Sequence, residues 1–297
     1  MNKQQQSTNG ITVRFLSETD KPAIYDTFIE AFSDYHIDMS YMTEKVLHNR
    51  AIKNSIRYDL SVGVFDRGRM VGFTQVGCGE WDGRKAAFDS GTGIIPAYRN
   101  RGLAGQMFDM IKIGLKEKQV ELFLLEVLKA NEAAIRAYQR SGFRITREFE
   151  GLKIDRHQYV PGKCADDIDI TRCDKTILAE FETDLDWSPS WEENFAAIRN
   201  IPDEIQIFTA YQHKAPVALL IYYPLLQWIM SLVVKKTYRR KGIGSCLLNY
   251  LFKSLPSDAT EIKVVNIVNT DPAMLALFKG RGFINYADQF EMILNID

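Results

Sequence analysis

Two short stretches of this chain combine cations and glycine in a way that suits anion chemistry. Residues 98–104 read YRNRGLA and residues 238–244 read YRRKGIG. Each follows an apolar run and precedes a helical period, so each lies where a strand turns into a helix. The first backbone N–H groups of a helix have no internal partners and point outward at a positive dipole end. Glycine clears the way to that backbone, and arginine or lysine adds charge-assisted contacts. The ligand this combination fits is a diphosphate. Its candidate cradles are Arg99, Asn100, Arg101, Gly102, Leu103 and Ala104, and again Arg239, Arg240, Lys241, Gly242, Ile243 and Gly244.

The two cradles stand 140 positions apart, and the same offset carries Gly142-Phe143 onto Gly282-Phe283 and Asn131 onto Asp271. Asn and Asp are both good helix N-caps, and Pro272 is a preferred first helical residue. An offset held over that span marks a duplicated domain. Each copy has the same coarse order. ITVRFL and IDITRC alternate as opening strands, with helical segments following around KPAIYDTFIEAF and KTILAEFETDL. Hairpins come next, and then the strand FDSGTGII or QWIMSLVV runs into the cradle. Beyond it Leu103, Met107, Ile111 and Leu115 share one helical face, as do Ile243, Leu247, Leu251 and Leu255. A strand, ELFLLEV or EIKVVNI, then leads to a second helix ending at Gly142 or Gly282, and the Phe after it begins a final strand. The polar, Pro- and Gly-bearing PGKCADD reads as a linker. The expected boundaries are a polar tail over 1–10, a first domain over 11–160, a linker over 161–167 and a second domain over 168–297.

Bulk composition narrows the function classes. With 297 residues, 46% hydrophobic and 25% charged, the chain reads as a soluble globular protein of about two domains. A formal net charge of −1 argues against a general nucleic-acid binder. Cys78, Cys164, Cys173 and Cys246 show no CxxC pairing, so no metal is expected and free thiols in a reducing cytosol fit best. The opening MNKQQQSTNG has no apolar signal core and is expected to form a loose tail. Residues 215–234 carry no charge over a membrane-spanning length, yet Pro224 interrupts them and Gln227 and Ser231 sit inside. Two buried strands joined by a tight turn explain them better, so no membrane partner is expected.

The arrangement resembles the GNAT superfamily of acyl-CoA-dependent N-acetyltransferases, whose pyrophosphate loop reads (Q/R)xxGx(G/A). Arg99 to Ala104 and Arg239 to Gly244 match it, and LEVLKANEAAIRAYQRSGF looks like the family's next strand and helix. The resemblance implies two tandem α/β domains, each a largely antiparallel mixed sheet flanked by helices. It implies acetyl-CoA as acyl donor, with the pantetheine along the strand ending at Gly93-Ile94 and Asn131 at the place where the family holds the pantetheine arm. By the same likeness Tyr138 holds the place of the acid that protonates the departing thiolate. Glu126 holds the place of a base, and Asp89 is a competing base on the preceding strand. A carboxylate in so apolar a strand as that of Glu126 asks for a partner or a role.

At the same offset the second copy has Phe278 for Tyr138 and Asn266 for Glu126, so the first copy is the one expected to do the chemistry. The second keeps its loop and stands as a fold-preserving partner able to bind CoA. For the acceptor, the family's entry route points to residues 32–44, where Asp34 and Tyr35 offer the carboxylate and aromatic face that suit a cationic amine. Trp187 and Trp191 of the second copy either line a groove or pack. The leading function is acetyl transfer to an amine of a small molecule or peptide, in the cytoplasm. The alternatives are a non-catalytic acyl-CoA-binding or sensing protein and an interaction module.

Overall fold

A computed structural model of the chain describes residues 5–8 and 10–296. It divides into two compact units, residues 1–147 with 290–297, and residues 148–289.

The first unit begins with β1 (Gln5–Thr8) paired antiparallel to β2 (Ile11–Phe15). This corrects the loose tail expected over 1–10, of which residues 1–4 and 9 lie outside the described residues. The sequence Asn9-Gly10 is a strong hairpin signal, and Gly10 takes the left-handed φ of +81° that such a turn needs. Next come α1 (Lys21–Ala31), α2 (Glu44–Lys53) and the strands β3 (Val62–Asp66), β4 (Arg69–Trp81) and β5 (Arg84–Ile94). A 3-10 turn at Pro96–Tyr98 leads into α3 (Leu103–Glu117), then β6 (Leu122–Leu128) and α4 (Glu132–Arg140). Strands β2 to β5 pair antiparallel in sequence, and β5 pairs parallel with β6. The α3 seam is buried as its spacing predicts, with Met107, Ile111 and Leu115 all 0% exposed.

After α4 the chain enters β7 (Arg144–Asp155), whose first four residues belong to the first unit and whose remainder belongs to the second. The second unit continues with β8 (Asp169–Cys173), 3-10 turns over Lys175–Asp184, and α5 (Phe195–Asn200). Strands β9 (Gln206–Gln212), β10 (Ala215–Tyr223) and β11 (Trp228–Val234) follow, then α6 (Ile243–Ser254), β12 (Glu261–Val268) and α7 (Pro272–Lys279). Its strand order is β7-β12-β11-β10-β9-β8, antiparallel except for the β11–β12 pair. Residues 215–234 are thus two strands joined by a turn at Pro224–Leu226. No helix among the described residues is long and apolar enough to cross a membrane.

The ends of the two copies depart from the expected boundaries. After Gly282-Phe283 the strand is only β13 (Ile284–Asn285), which pairs with β7. The chain then runs into β14 (Gln289–Asn295), whose residues from Phe290 onward belong to the first unit, beside β6. The first unit is therefore completed by the last residues of the sequence. Nor are residues 161–167 a free linker. Tyr159 stacks on Phe252 of α6 at 3.7 Å between ring centroids. Asn249 of α6 accepts from the Tyr159 hydroxyl at 2.7 Å and the Gly162 N–H at 3.1 Å, and donates to the Gly162 carbonyl at 2.8 Å. Pro and Gly marked a turn; a single asparagine on the facing helix docks it.

Candidate active site

In the first unit β5 and β6 pair over Ala86–Asp89 and Leu122–Leu125, and past Asp89 the strands part. The β4–β5 register slips where Gln75 faces Gly91 and Val76 faces Asp89, leaving Ser90 as the extra residue of a bulge. Bulges re-aim neighbouring side chains, and this one sits at the mouth of the opening. Across the opening α4 is capped by Asn131, whose Oδ1 accepts from the Ala134 N–H at 3.1 Å.

Three sequence candidates meet here. The Thr92 hydroxyl donates to Asp89 Oδ2 at 2.7 Å, and the Gly91 N–H donates to Asp89 Oδ1 at 2.9 Å. Tyr138 of α4 comes near enough for Asp89, Tyr35 and Thr92 all to act on its phenol. Burial pushes the Tyr138 phenol well above its usual range, with Asp89 and Tyr35 adding to the effect, so it stays protonated at neutral pH. Tyr35, in the segment after α1, has its phenol pushed up by burial and itself acts on Tyr138, so it lies near the same opening. Glu126 is half-buried on β6.

Asp89 is 5% exposed, and burial pushes its carboxyl up to about 6, against bonds from Thr92 and the Gly91 N–H and the charge of Arg50. The consequence for stability has a definite sign. Below the usual carboxyl pKa of 3.8 both folded and unfolded chains hold the proton, and no penalty exists. As pH rises to about 6 the unfolded chain sheds that proton more readily, and folded stability falls. At about 1.4 kcal/mol per pH unit, the carboxylate costs on the order of 3 kcal/mol above pH 6. Asp89→Asn is therefore expected to melt higher than wild type at pH 8 and alongside it at pH 4. Equal melting temperatures at both pH values would contradict the raised pKa.

The cradle residues divide into two groups. Arg99 gives its side chain to the protein. Its Nη1 and Nη2 each lie 2.7 Å from Asp34, Nη2 also donates to the Ala31 carbonyl at 2.8 Å, and Nε donates to the Ile94 carbonyl at 3.1 Å. The second copy repeats the device. Arg239 Nε donates to the Val234 carbonyl at 2.9 Å, Nη1 to Asp186 at 2.6 Å, and Nη2 to the Asp184 carbonyl at 2.8 Å. Both arginines, expected to meet a diphosphate, instead clamp the preceding loop to the strand end. Asp34, expected to meet the acceptor, is the other half of that clamp. A fork of five donors on one flat cation suits such a junction better than lysine would.

What remains for an anion is backbone. Asn100 and Arg240 share a left-handed φ of 61°, and Gly102 and Gly242 follow at 71° and 87°, just before α3 and α6 begin. Arg101 donates to the Ala97 carbonyl at 2.7 Å and packs over Tyr98; Lys241 donates to the Thr237 carbonyl at 3.0 Å and packs over Tyr238. The loops differ in one respect. A Cβ built on Gly102 would meet nothing within 4 Å, whereas one on Gly242 would lie 2.8 Å from the Lys163 carbonyl oxygen and 3.1 Å from the Ala165 nitrogen. The docked segment fills the space that the second glycine leaves. Gly93 is also a packing glycine, since a Cβ there would come within 3.0–3.1 Å of Phe73, Ala31 and Phe32.

In the second unit Phe278 and Asn266 stand at the matching chemical positions, buried at 1% and 8% exposure. Asn266 donates to Ser190 and to Glu193, both at 3.0 Å, and accepts from Gln289 at 2.8 Å. Trp187 lines the cleft between β11 and β12, while Trp191 is buried. Sequence reading missed Thr92 and Asn249. A threonine in a strand and a polar residue on a helix are ordinary, and nothing in their own surroundings signals what they join.

Each unit thus joins a parting pair of parallel strands to a left-handed glycine and the start of a long helix, the architecture of an acyltransferase. The chain belongs to the acetyltransferase (GNAT) family, whose model matches residues 22–143 and again 173–283. Among solved structures it is similar to a GCN5-related N-acetyltransferase from Sphaerobacter thermophilus, at 14% identity and a TM-score of 0.72 over 98% of this chain and 97% of that one. A tandem GNAT protein from the clavulanic acid biosynthesis pathway aligns at 12% identity and a TM-score of 0.71, over 99% and 98%. A GCN5-related N-acetyltransferase from Anabaena variabilis aligns at 11% and 0.66, over 97% and 73%. No protein of curated function matches the chain in sequence. At these identities the likeness is one of fold.

Proposed function

We propose that the protein transfers an acetyl group from acetyl-CoA to an amine of a small molecule or peptide, with the chemistry in its first unit. The observation that carries this reading is the buried Asp89 carboxyl, bonded by Thr92 and the Gly91 N–H, acting on the buried Tyr138 phenol at the opening between β5 and β6. The residues fit the donor. Past Asp89 the β5 backbone has no β6 partner for pairing, which leaves an edge for the pantetheine amides, and the open turn at Gly102 gives a diphosphate the first N–H groups of α3.

Acetyl-CoA supplies an activated carbonyl and a thiolate leaving group. Asp89 takes the proton that the attacking nitrogen must shed, since a base poised near neutral pH is the effective one. Tyr138 holds its proton until sulfur needs it. Asp89 is preferred to Glu126 as base because its buried carboxyl is pushed up to about 6 and acts on the Tyr138 phenol. Tyr35, near the opening, gives an aromatic face to the incoming amine. The working compartment is the cytoplasm, in keeping with the free thiols.

The second unit takes a different part. Phe278 cannot donate a proton, and the segment Lys163–Ala165 occupies the hollow at Gly242. We therefore expect equilibrium dialysis to find one acetyl-CoA bound per chain. Two would mean that the docked segment lifts away. The transferase reading itself is tested by release of the CoA thiol from acetyl-CoA, with and without pooled amines. Tight donor binding with no release for any amine would favour the acyl-CoA sensor instead.

A further inference from the structure

Two of the four cysteines lie where the docked segment crosses the second glycine turn. Cys164 belongs to that segment and is exposed, while Cys246 of α6 is 4% exposed. Asn249 Nδ2 donates to Cys164 Sγ at 3.3 Å, and Cys246 Sγ donates to the carbonyl of the next residue, Ala165, at 3.9 Å. Asn249 and Cys246 are three apart in α6, so they are neighbours on one helical face. The segment's backbone is pressed to the same turn, since a Cβ on Gly242 would lie 3.3 Å from the Cys164 carbonyl carbon. Both sulfurs are thus held against one strip of α6, one open to solvent and one beneath the segment. Burial pushes the Cys246 thiol up to about 12, and Cys164 is near enough to act on it. Cys173, by contrast, engages Thr171 and Tyr211, and Cys78 stands on β4 of the first unit.

We propose that Cys164 and Cys246 form a redox pair, which a peroxide joins into a disulfide that fastens the docked segment over the hollow at Gly242. Cys164 is the sulfur that the oxidant reaches first. Its sulfur attacks one peroxide oxygen, the O–O bond breaks, and the thiol proton leaves with the other oxygen as water. The product is a sulfenic acid, which condenses with a neighbouring thiol. Cys246 Sγ attacks the oxidised sulfur, the S–O bond breaks, and the Cys246 proton leaves with that oxygen as a second water. The two sulfurs give up two electrons in all, and the peroxide takes both. A thiol reductant reverses the bond by exchange, so in a reducing cytosol it is transient, as a switch requires. Unjoined, the segment is held by non-covalent contacts, which open locally far more readily than a covalent tie. Joined, the pair closes a loop of roughly eighty residues spanning β8 to β11, and the segment no longer lifts.

Mild oxidation of the full chain with hydrogen peroxide tests this, read by thiol count, peptide mapping and melting. The expected result is that the four free thiols fall to two and that the digest contains a linked Cys164–Cys246 peptide. The second unit should then melt about 5–15 °C above its reduced form, the shift a native cross-link of this loop length gives a domain of this size. Dithiothreitol should restore all three readings. Cys164→Ser, at an exposed position, should abolish both the linked peptide and the shift, as should Cys246→Ala, while Cys78→Ser keeps both. Oxidation that stops at a sulfinic or sulfonic acid on Cys164, with no linked peptide, would overturn the pair. A linked peptide joining Cys164 to Cys78 or Cys173 would overturn it too. A Cys164–Cys246 peptide with unchanged melting would overturn the fastening of the segment.

Discussion

Tyr138→Phe is expected to lower amine-dependent acetyl-CoA turnover by about 10²- to 10⁴-fold, the range of a single positioned proton donor. The loss is expected in kcat, because the phenol acts on the departing sulfur after both substrates are bound. KM for acetyl-CoA should move little, since the opening between β5 and β6 and the turn at Gly102 are unchanged. The chain itself guards against unfolding as the cause. Tyr138 packs edge-on to Phe108 at 5.6 Å and to Phe143 at 5.8 Å. At the equivalent place in the second unit Phe278 meets Phe283 edge-on at 5.0 Å. The duplicated fold already shows that a phenyl ring fits this niche. The measurement is thiol release under saturating amine, with melting temperature followed in parallel. A variant that keeps wild-type kcat would move the acid elsewhere and leave Tyr138 a packing residue.

What was legible in the sequence is what local pattern encodes. The seam of α3 is read from a spacing of four, and the caps Asn131 and Asp271 from side chains that bond the next turn's N–H groups. The left-handed turn at Gly102 follows from the only residue type that enters it without strain. The antiparallel opening of the first unit is equally legible, since Asn-Gly is the dipeptide that favours a hairpin turn. Pairing between distant residues is a different matter. Nothing in Arg99 says that its partner is Asp34, sixty-five positions earlier, and a loop arginine beside glycine looks the same whether it holds phosphate or carboxylate. The same limit hid Asn249, which docks a segment that composition alone reads as free. It also hid Thr92, which bonds Thr74 across the sheet and Asp89 past a bulge. Charge and spacing single out stretches of chain, while the identity of the groups that touch one another waits on the fold.

Removing everything after Gln289 is expected to disable the first unit, although every residue proposed for chemistry precedes residue 139 in the chain. The reason lies in β14. Met292 is 0% exposed in the first unit's core, with Phe290, Leu294 and Ile296 packed around that core. The Ile296 N–H donates to the Glu121 carbonyl at 2.9 Å. Glu291, 2% exposed, accepts from Thr146 at 2.8 Å and from Arg147 at 2.9 and 2.5 Å. Breaking a buried, hydrogen-bonded ion pair from one side costs about 3–5 kcal/mol, because the partner charge is left in a poor solvent. Loss of one fully buried methionine adds about 2–5 kcal/mol. Together these are comparable to the whole stability of a typical domain. Glu291→Ala alone should therefore lower the melting temperature of the first unit sharply, and truncation at residue 289 should abolish its cooperative transition along with acetyl-CoA binding. Calorimetry on full-length, Glu291→Ala and truncated chains separates the cases. A truncated chain with an unchanged transition and intact donor binding would show that β14 is dispensable and that the first unit closes without the end of the chain.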